Sequence, residues 1–227
     1  MTVESPFGYQ FKQYAPLSSP GGIGLPNPYG FDENIGTYLN INGNTADWNL
    51  GTTWTVEWRA KTPEYVDTNG NWVVMSQGSP GGFAALDIVQ VENQYLCWGS
   101  GNWKIPVGPI DQWNHYAIVK NAGTVTAFLN GKQQTITVAG GANANSPAPA
   151  SGAAILVVGS RTWAGQYFQG LLGGIRITNT AVYTGDFSVS SSAPSNITGT
   201  KLLLNGGLTD LSTGPRHTLI NFGVTLY

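Results

Sequence analysis

The sequence predicts an all-β fold, an antiparallel β-sandwich preceded by an extended N-terminal arm, and three observations carry that prediction. The first is a period of two in apolar and polar residues, the spacing of a pleated strand, over residues 54–60 and 113–120. The second is a pair of turn signals, a Gly-containing turn at residues 121–124 and Asn130-Gly131. Asn-Gly tolerates positive φ at both central positions of a type I′ turn, so it closes a tight hairpin, and two consecutive hairpins make an antiparallel meander. The third is composition: 10% charged residues with 31 Gly, 13 Pro and 8 Trp suit strands and turns, and oppose helices and disorder. At 227 residues the chain can bury a substantial core as one sandwich.

Residues 1–35 read as the arm. Pro6, Pro16, Pro20, Pro26 and Pro28 cannot donate to a ladder, and Ser-Ser-Pro-Gly-Gly at 18–22 reinforces the break. Phe7, Tyr9, Phe11 and Tyr14 are too many aromatics for a mere leader. They are expected to dock, on their own domain or on a neighbouring subunit.

Residues 36–227 read as the sandwich. Trp54, Val56 and Trp58 share one face of the first strong strand, and Thr55, Glu57 and Arg59 the other. Short runs at 72–76, 83–89, 95–98 and 103–107 follow at sandwich spacing. Next, Trp113, His115, Ala117 and Val119 alternate with Asn114, Tyr116, Ile118 and Lys120, and Val125, Ala127 and Leu129 line the return strand. The low-complexity stretch 139–151 is expected to be a mobile surface loop. Residues 155–160 and 170–178 are strands, and 201–205 and 219–224 are expected to pair with each other and close the sandwich.

The net charge of −2, with no basic patch, predicts no nucleic-acid partner and no anionic membrane surface. Cys97 is the single cysteine, which excludes an intramolecular disulfide and a thiolate metal cluster; within Tyr-Leu-Cys-Trp it reads as a small core residue. No cleavable signal and no run of ~18 apolar residues is visible, so any extracellular role is expected to use another route, such as virion assembly.

Five motifs carry a family likeness: WTVEW, WNHYAIVK, FLNGK, ILVVGS and GLLGGIRIT. Together they resemble the laminin-G-like group of concanavalin A-like lectin/glucanase domains, through Glu57, Trp113, His115, Asn130, Gly131, Gly159, Gly170, Arg176 and Ile177. The run from Thr180 to Phe187, with its Tyr183, and the closing LLLN…DLSTGPRHTLINFGV are similar to segments of such domains in tailed-phage virion proteins. The resemblance spans residues 36–227 and implies a concanavalin A-like jelly roll. That fold hosts lectins, enzymes, adhesion modules and spacers, so function must come from a site.

A glucanase of this fold would carry an E-x-D-x-x-E strand, placing two carboxylates on one groove. The chain has no such string. Glu57 stands alone on its strand with Arg59 as its same-face charged neighbour, an arrangement that reads as a structural ion contact. Asp32 and Glu33 are adjacent, and no Ser or Cys stands in a nucleophile setting, so no catalytic residue is assigned. His115 is expected to bond a neighbouring loop, and His217 to sit in a loop.

Calcium is the one metal the resemblance brings forward, with no other cofactor. Asp67, Asn69 and Asn71 alternate oxygen ligands around Gly70, but the distant bidentate Glu is missing and the same string makes an ordinary turn. Glycan binding would use Trp98, Asn102 and Trp103 in one Gly-punctuated cluster, and Trp163 and Tyr167 in another. The same rings would equally suit the sandwich mouth or a subunit interface.

The functional expectation is a non-enzymatic structural protein on the surface of a tailed-phage virion, a capsid-decoration or tail/fibre adaptor subunit. Its partners would be virion proteins and copies of itself. The alternative is an adhesin recognising host glycan, and a glycan hydrolase ranks behind both.

Overall fold

The computed structural model describes residues 27–64, 71–77, 86–91, 94–98, 103–138, 155–161, 164–214 and 216–227. In chain order the strands are β1 (Tyr29–Phe31), β2 (Tyr38–Asn42), β3 (Trp54–Lys61), β4 (Asn71–Gln77), β5 (Ile88–Val91) and β6 (Tyr95–Trp98). Then come β7 (Trp103–Pro106), β8 (Asn114–Asn121), β9 (Thr124–Leu129), β10 (Lys132–Gln134), β11 (Thr137–Val138) and β12 (Ile155–Val158). The last six are β13 (Ser160–Arg161), β14 (Gln166–Tyr167), β15 (Gly170–Thr178), β16 (Thr200–Leu204), β17 (Thr218–Phe222) and β18 (Thr225–Leu226).

Two eight-stranded antiparallel sheets face each other, as the alternation predicts. The first runs β10-β9-β8-β3-β15-β1-β18, with β16 also paired to β15, and the second runs β11-β7-β6-β5-β4-β12-β2-β17. Between them lies one apolar core. Trp54, Val56 and Trp58 of β3, Tyr116 and Ile118 of β8, and Ile175 and Ile177 of β15 meet Leu39, Ile41, Trp72, Met75, Leu96 and Leu156 from the opposite sheet. Among the described residues no helix is long and apolar enough to cross a membrane.

Both expected hairpins are present. Ala122 (φ 45°) and Gly123 (φ 94°) join β8 to β9, and Asn130 (φ 50°) and Gly131 (φ 76°) join β9 to β10, the positive pairs of type I′ turns. The Asn-Gly turn has a second reason for its glycine: a Cβ on Gly131 would sit 2.0 Å from the Phe187 carbonyl oxygen.

Two expectations on organisation are corrected. Residues 29–31 fall inside the segment read as an arm, yet Tyr29 and Phe31 alternate into the core around Gly30, and β1 pairs with β15 and β18. Residues 1–26 of the arm, with Phe7, Tyr9, Phe11 and Tyr14, and the stretch 139–151 lie outside the described residues. The tail strands do not pair with each other. β16 adds to β15 in the first sheet and β17 to β2 in the second, because Leu202 and Leu204 fill the core from one side while Leu219 packs on it from the other.

One irregularity sets up the site. Between β3 and β15 the register passes from Arg59↔Gly173 to Glu57↔Arg176, so β15 carries one extra residue, a bulge at Gly173-Gly174 with Gly174 at φ 54°. Strict alternation from Leu172 would have turned Arg176 into the core. The bulge brings Ile175 inward instead and sets Arg176 on the outer face, opposite Glu57.

Candidate functional site

The outer face of the first sheet carries the densest cluster of ionisable groups among the described residues. Glu57 and Arg59 come from β3, His115 from β8 and Arg176 from β15, three neighbouring strands. All four are at least 95% buried. Glu57 receives Arg176 Nε at 2.6 Å on one carboxylate oxygen, along with a further contact from the same guanidinium. On its other oxygen it accepts Tyr183 Oη–H at 2.7 Å and lies 2.9 Å from His115 Nε2.

Burial alone would push the Glu57 carboxyl up, but the His115 hydrogen bond, the Arg176 charge and the Tyr183 hydroxyl outweigh it and hold the group below the usual carboxylate range. Burial and the neighbouring carboxylate drive the Tyr183 phenol far above its ordinary value. Arg59 moves down on burial, with the Glu57 charge partly offsetting the change.

The burial of this face comes from residues 179–199, which leave β15 and return to β16 without a strand of their own. Their ends meet: Asn179 N–H donates to the Gly199 carbonyl at 3.0 Å, and Thr180 Oγ1 to the Thr198 carbonyl at 3.0 Å. This is an Ω-like loop, a closed excursion longer than the usual Ω-loop. Polar side chains of the sheet fasten it. Arg59 Nη2 donates to the carbonyls of Ser190 and Ser192, each at 2.6 Å, and Arg176 Nη1 to that of Ser195 at 2.8 Å. Thr55 Oγ1 donates to the Thr180 carbonyl at 2.7 Å, and Phe187 N–H reaches the Gly131 carbonyl at 2.9 Å.

Rings complete the cover. Tyr183 and Phe187 stack at 3.7 Å, His115 stands edge-on to both, and the pair packs over Ala117, Val119 and Phe128. Beneath the loop lies a cavity of about 220 Å³ that includes Glu57, Arg59, His115, Arg176 and Tyr183 in its lining.

The chemistry open to this cluster is limited. Glu57 is the single carboxylate of the cavity lining, and it already accepts from three side chains. The other inward acids are committed too. Asp87 is paired to Arg161, with Nε to Oδ1 at 2.7 Å, and burial raises its carboxyl above the usual range. Asp210 accepts from the backbone of Leu203, Ser212 and His217, from Ser212 Oγ, and lies 2.7 Å from His217 Nδ1.

The sequence-predicted glycan residues are redistributed. Trp98 and Trp103 face each other across the β6–β7 hairpin and both point inward, 0% and 5% exposed, so neither presents a ring to a sugar. A cross-strand pair shares one face, and here that face is the core. Tyr167 of β14 is half-buried, its ring 6.4 Å from Tyr38, while Asn102 and Trp163 lie outside the described residues. Asn71 opens β4, paired with Val91, and Asp67 and Asn69 lie outside the described residues. Among the described residues no group of three or more His, Cys, Asp or Glu is placed to hold a metal ion.

Three readings of single residues sharpen. Glu57 makes its direct ion contact with Arg176, and Arg59 remains its electrostatic neighbour. His115 bonds Glu57 on the adjacent strand rather than a loop through its ring, while its backbone N–H donates to Asn130 Oδ1 at 2.8 Å. His217 does lie in a loop, stacked on Trp48. Cys97 is buried, which pushes its thiol up to about 11. The Arg176 partnership was open to sequence reasoning only through the Gly173-Gly174 signal of a bulge.

The motifs that looked like scattered fold markers thus meet in one place: Glu57, His115, Asn130, Gly131, Arg176, Tyr183 and Phe187 all build or fasten the cover. The family model for concanavalin A-like lectin/glucanases domains, of the laminin-G type, matches residues 32–185, which include all of these but Phe187. The chain belongs to this superfamily.

One solved structure agrees on the fold. A candidate carbohydrate-binding protein from Bacteroides ovatus superposes with a TM-score of 0.62 at 15% identity, covering 88% of this chain and 59% of that one. A pentraxin from Limulus polyphemus gives 0.48 at 12% identity over 88% and 94% of the two chains. A Trypanosoma rangeli sialidase gives 0.42 at 15% identity over 61% of this chain and 21% of its own. The concanavalin A-like chain therefore spans about three fifths of the Bacteroides protein and a fifth of the sialidase. Among curated proteins none matches.

Proposed function

We propose that this chain is a non-catalytic structural protein of a tailed-phage particle, a capsid-decoration or tail/fibre adaptor subunit at the particle surface. One observation carries the non-catalytic part: Glu57, the acid that the superfamily pattern preserves, is sealed under the Ω-like loop as the acceptor of three donors. It fastens a cover, and both of its oxygens are already engaged. The phage assignment is supported by the likeness of the Thr180–Phe187 segment and of the closing residues to virion domains. In this reading the aromatic segment with Phe7, Tyr9, Phe11 and Tyr14 joins the subunit to its neighbours.

Mass spectrometry of purified particles from the source tests the placement. The protein should co-purify at a fixed ratio to the major structural proteins, and removal of residues 1–26 should abolish that without unfolding the sandwich. Absence from the particles would sink the reading.

A second reading, a carbohydrate-binding adhesin, is favoured by Tyr167, which stays half-buried beside Tyr38. A glycan array with the intact chain and with Tyr167→Ala separates the two. Specific binding lost in the variant supports the adhesin, and a flat array for the intact chain removes it.

A further inference from the structure

Among the described residues the outer face of the second sheet is open at one edge. β17 is the last strand there, paired on one side to β2 among the described residues. Phe222 and Ile220 are each 41% exposed and Ile155 is 43% exposed. Cross-strand pairing puts them in adjoining rows: Phe222 beside Tyr38, Ile220 beside Asn40 and Val157, and Ile155 beside Asn42. Phe222 and Tyr38 stack at 4.4 Å.

Natural edge strands are usually blunted by a charge, a proline or a bulge, because their free N–H and C=O groups template another strand. β17 reads Thr-Leu-Ile-Asn-Phe and has none of these. An uncharged, aromatic-tipped edge of this kind can template another strand.

We propose that residues 7–14 of a second copy of this chain cover it, extending the second sheet past β17 and laying their aromatic side chains on the Tyr38–Phe222 face. The proposal rests on the assembly reading above and names the receptor for its aromatic segment. The segment is free of proline between Pro6 and Pro16, and Phe7, Tyr9 and Phe11 recur with a period of two. That spacing places three rings on one face of an added strand, with Lys12 as the single charge.

The chain leaves the sandwich in a suitable place. The Pro28 carbonyl accepts Tyr227 N–H, and β1 pairs with β18, which follows β17 after Gly223 and Val224. The described chain therefore begins on the side of the sandwich where β17 lies. Residues 15–26 can span at most about 40 Å, roughly the width of such a domain, which reaches the same edge of an adjoining copy. Among the described residues Ile155, Ile220 and Phe222 stay exposed, which fits a donor from a neighbouring copy.

Cysteine cross-linking between full-length chains tests this. One population carries Phe11→Cys and a second of different mass carries Ile220→Cys; the native Cys97 is buried and does not compete. On mixing and oxidation the mixed disulfide dimer should be the dominant cross-linked species. Phe222→Lys in the acceptor, or Tyr9→Ser in the donor, should lower its yield at least about ten-fold. Light scattering on the chain without added cysteines should report association that Phe222→Lys abolishes while the circular dichroism spectrum is unchanged.

A chain that stays monomeric and forms no mixed disulfide overturns the proposal, as does a yield indifferent to Phe222→Lys. Particle proteomics keeps the two ideas apart. A protein present in particles without this cross-link refutes the contact alone, and a cross-link without particle association refutes the virion role alone.

Discussion

The two sheets share one core, yet their outer faces end in opposite ways. Over the first sheet, residues 179–199 are bolted down by Glu57, Arg59, Arg176 and Thr55, and Ala117, Val119 and Phe128 are as buried as the core itself. Over the β2–β12–β17 end of the second sheet, Ile155, Ile220 and Phe222 stay exposed and uncharged neighbours surround them. The contrast separates two uses of outward residues. Buried charges with fixed partners fasten the molecule to itself, whereas the apolar edge has no such fastening among the described residues. Most of the family signature lies on the fastened side, while ILVVGS runs along β12 of the second sheet, so the signature reports how the domain holds together.

The largest expected effect breaks the fastened side. Glu57→Gln leaves the Arg176 guanidinium buried without its counter-charge, and removal of one partner from such a pair costs about 3–5 kcal/mol. Urea denaturation should show that loss, and hydrogen exchange should show amides of 180–195 losing protection before those of β3 and β8.

The same group sets an acid limit. Glu57 and Asp210 titrate below the usual carboxyl range when folded and at about 4 when unfolded. Their stabilisation is therefore complete above about pH 4 and is lost as pH falls through the folded values. The Glu57→Gln variant should show a shallower fall of stability over that acid window. An unchanged acid limb would remove Glu57 from the account.

Tyr183→Phe is a gentler cut. The ring keeps its stack on Phe187, while Glu57 loses one of its three donors, so the expected cost is about 2 kcal/mol, that of a hydrogen bond to a charged group. A cost near that of Glu57→Gln would mean that the hydroxyl, rather than the ion pair, is the hub.

Much of this architecture was legible in the residues. Period-two alternation and two positive-φ turns give β8–β10 outright, because side-chain direction and turn chemistry are local properties. Which strands then lie side by side is not local. Lys201 and Leu219 belong to runs that look like partners, yet they join different sheets. Alternation also cannot say which face is inward when both are covered: β3 is buried on Trp54 and on Thr55 alike. The Glu57–Arg176 pair was hidden by one inserted glycine, since counting by twos from Leu172 sends Arg176 to the wrong side. Trp98 and Trp103 misled for the complementary reason. A Gly-punctuated hairpin looks like a recognition loop, but the rings at its base share the core face.

The smallest expected effect sharpens where the fastened region stops. Lys132 and Asp186 pair at 3.1 Å at the rim of the cover, with side chains 71% and 53% exposed. The Asp186 carboxyl sits below its ordinary range first through the Gln133 N–H and then through Lys132. Exposed pairs of this kind are screened by salt and lose side-chain entropy on forming, so they stabilise little. Lys132→Ala should leave the thermal midpoint unchanged within error at moderate salt, because the Gln133 N–H still holds Asp186 at 2.9 Å. A drop in midpoint that high salt also produces in the unmodified chain would extend the fastened region out to the rim. No drop would confine it to the buried cluster around Glu57, where the charges are shielded from solvent and removing one partner is costly.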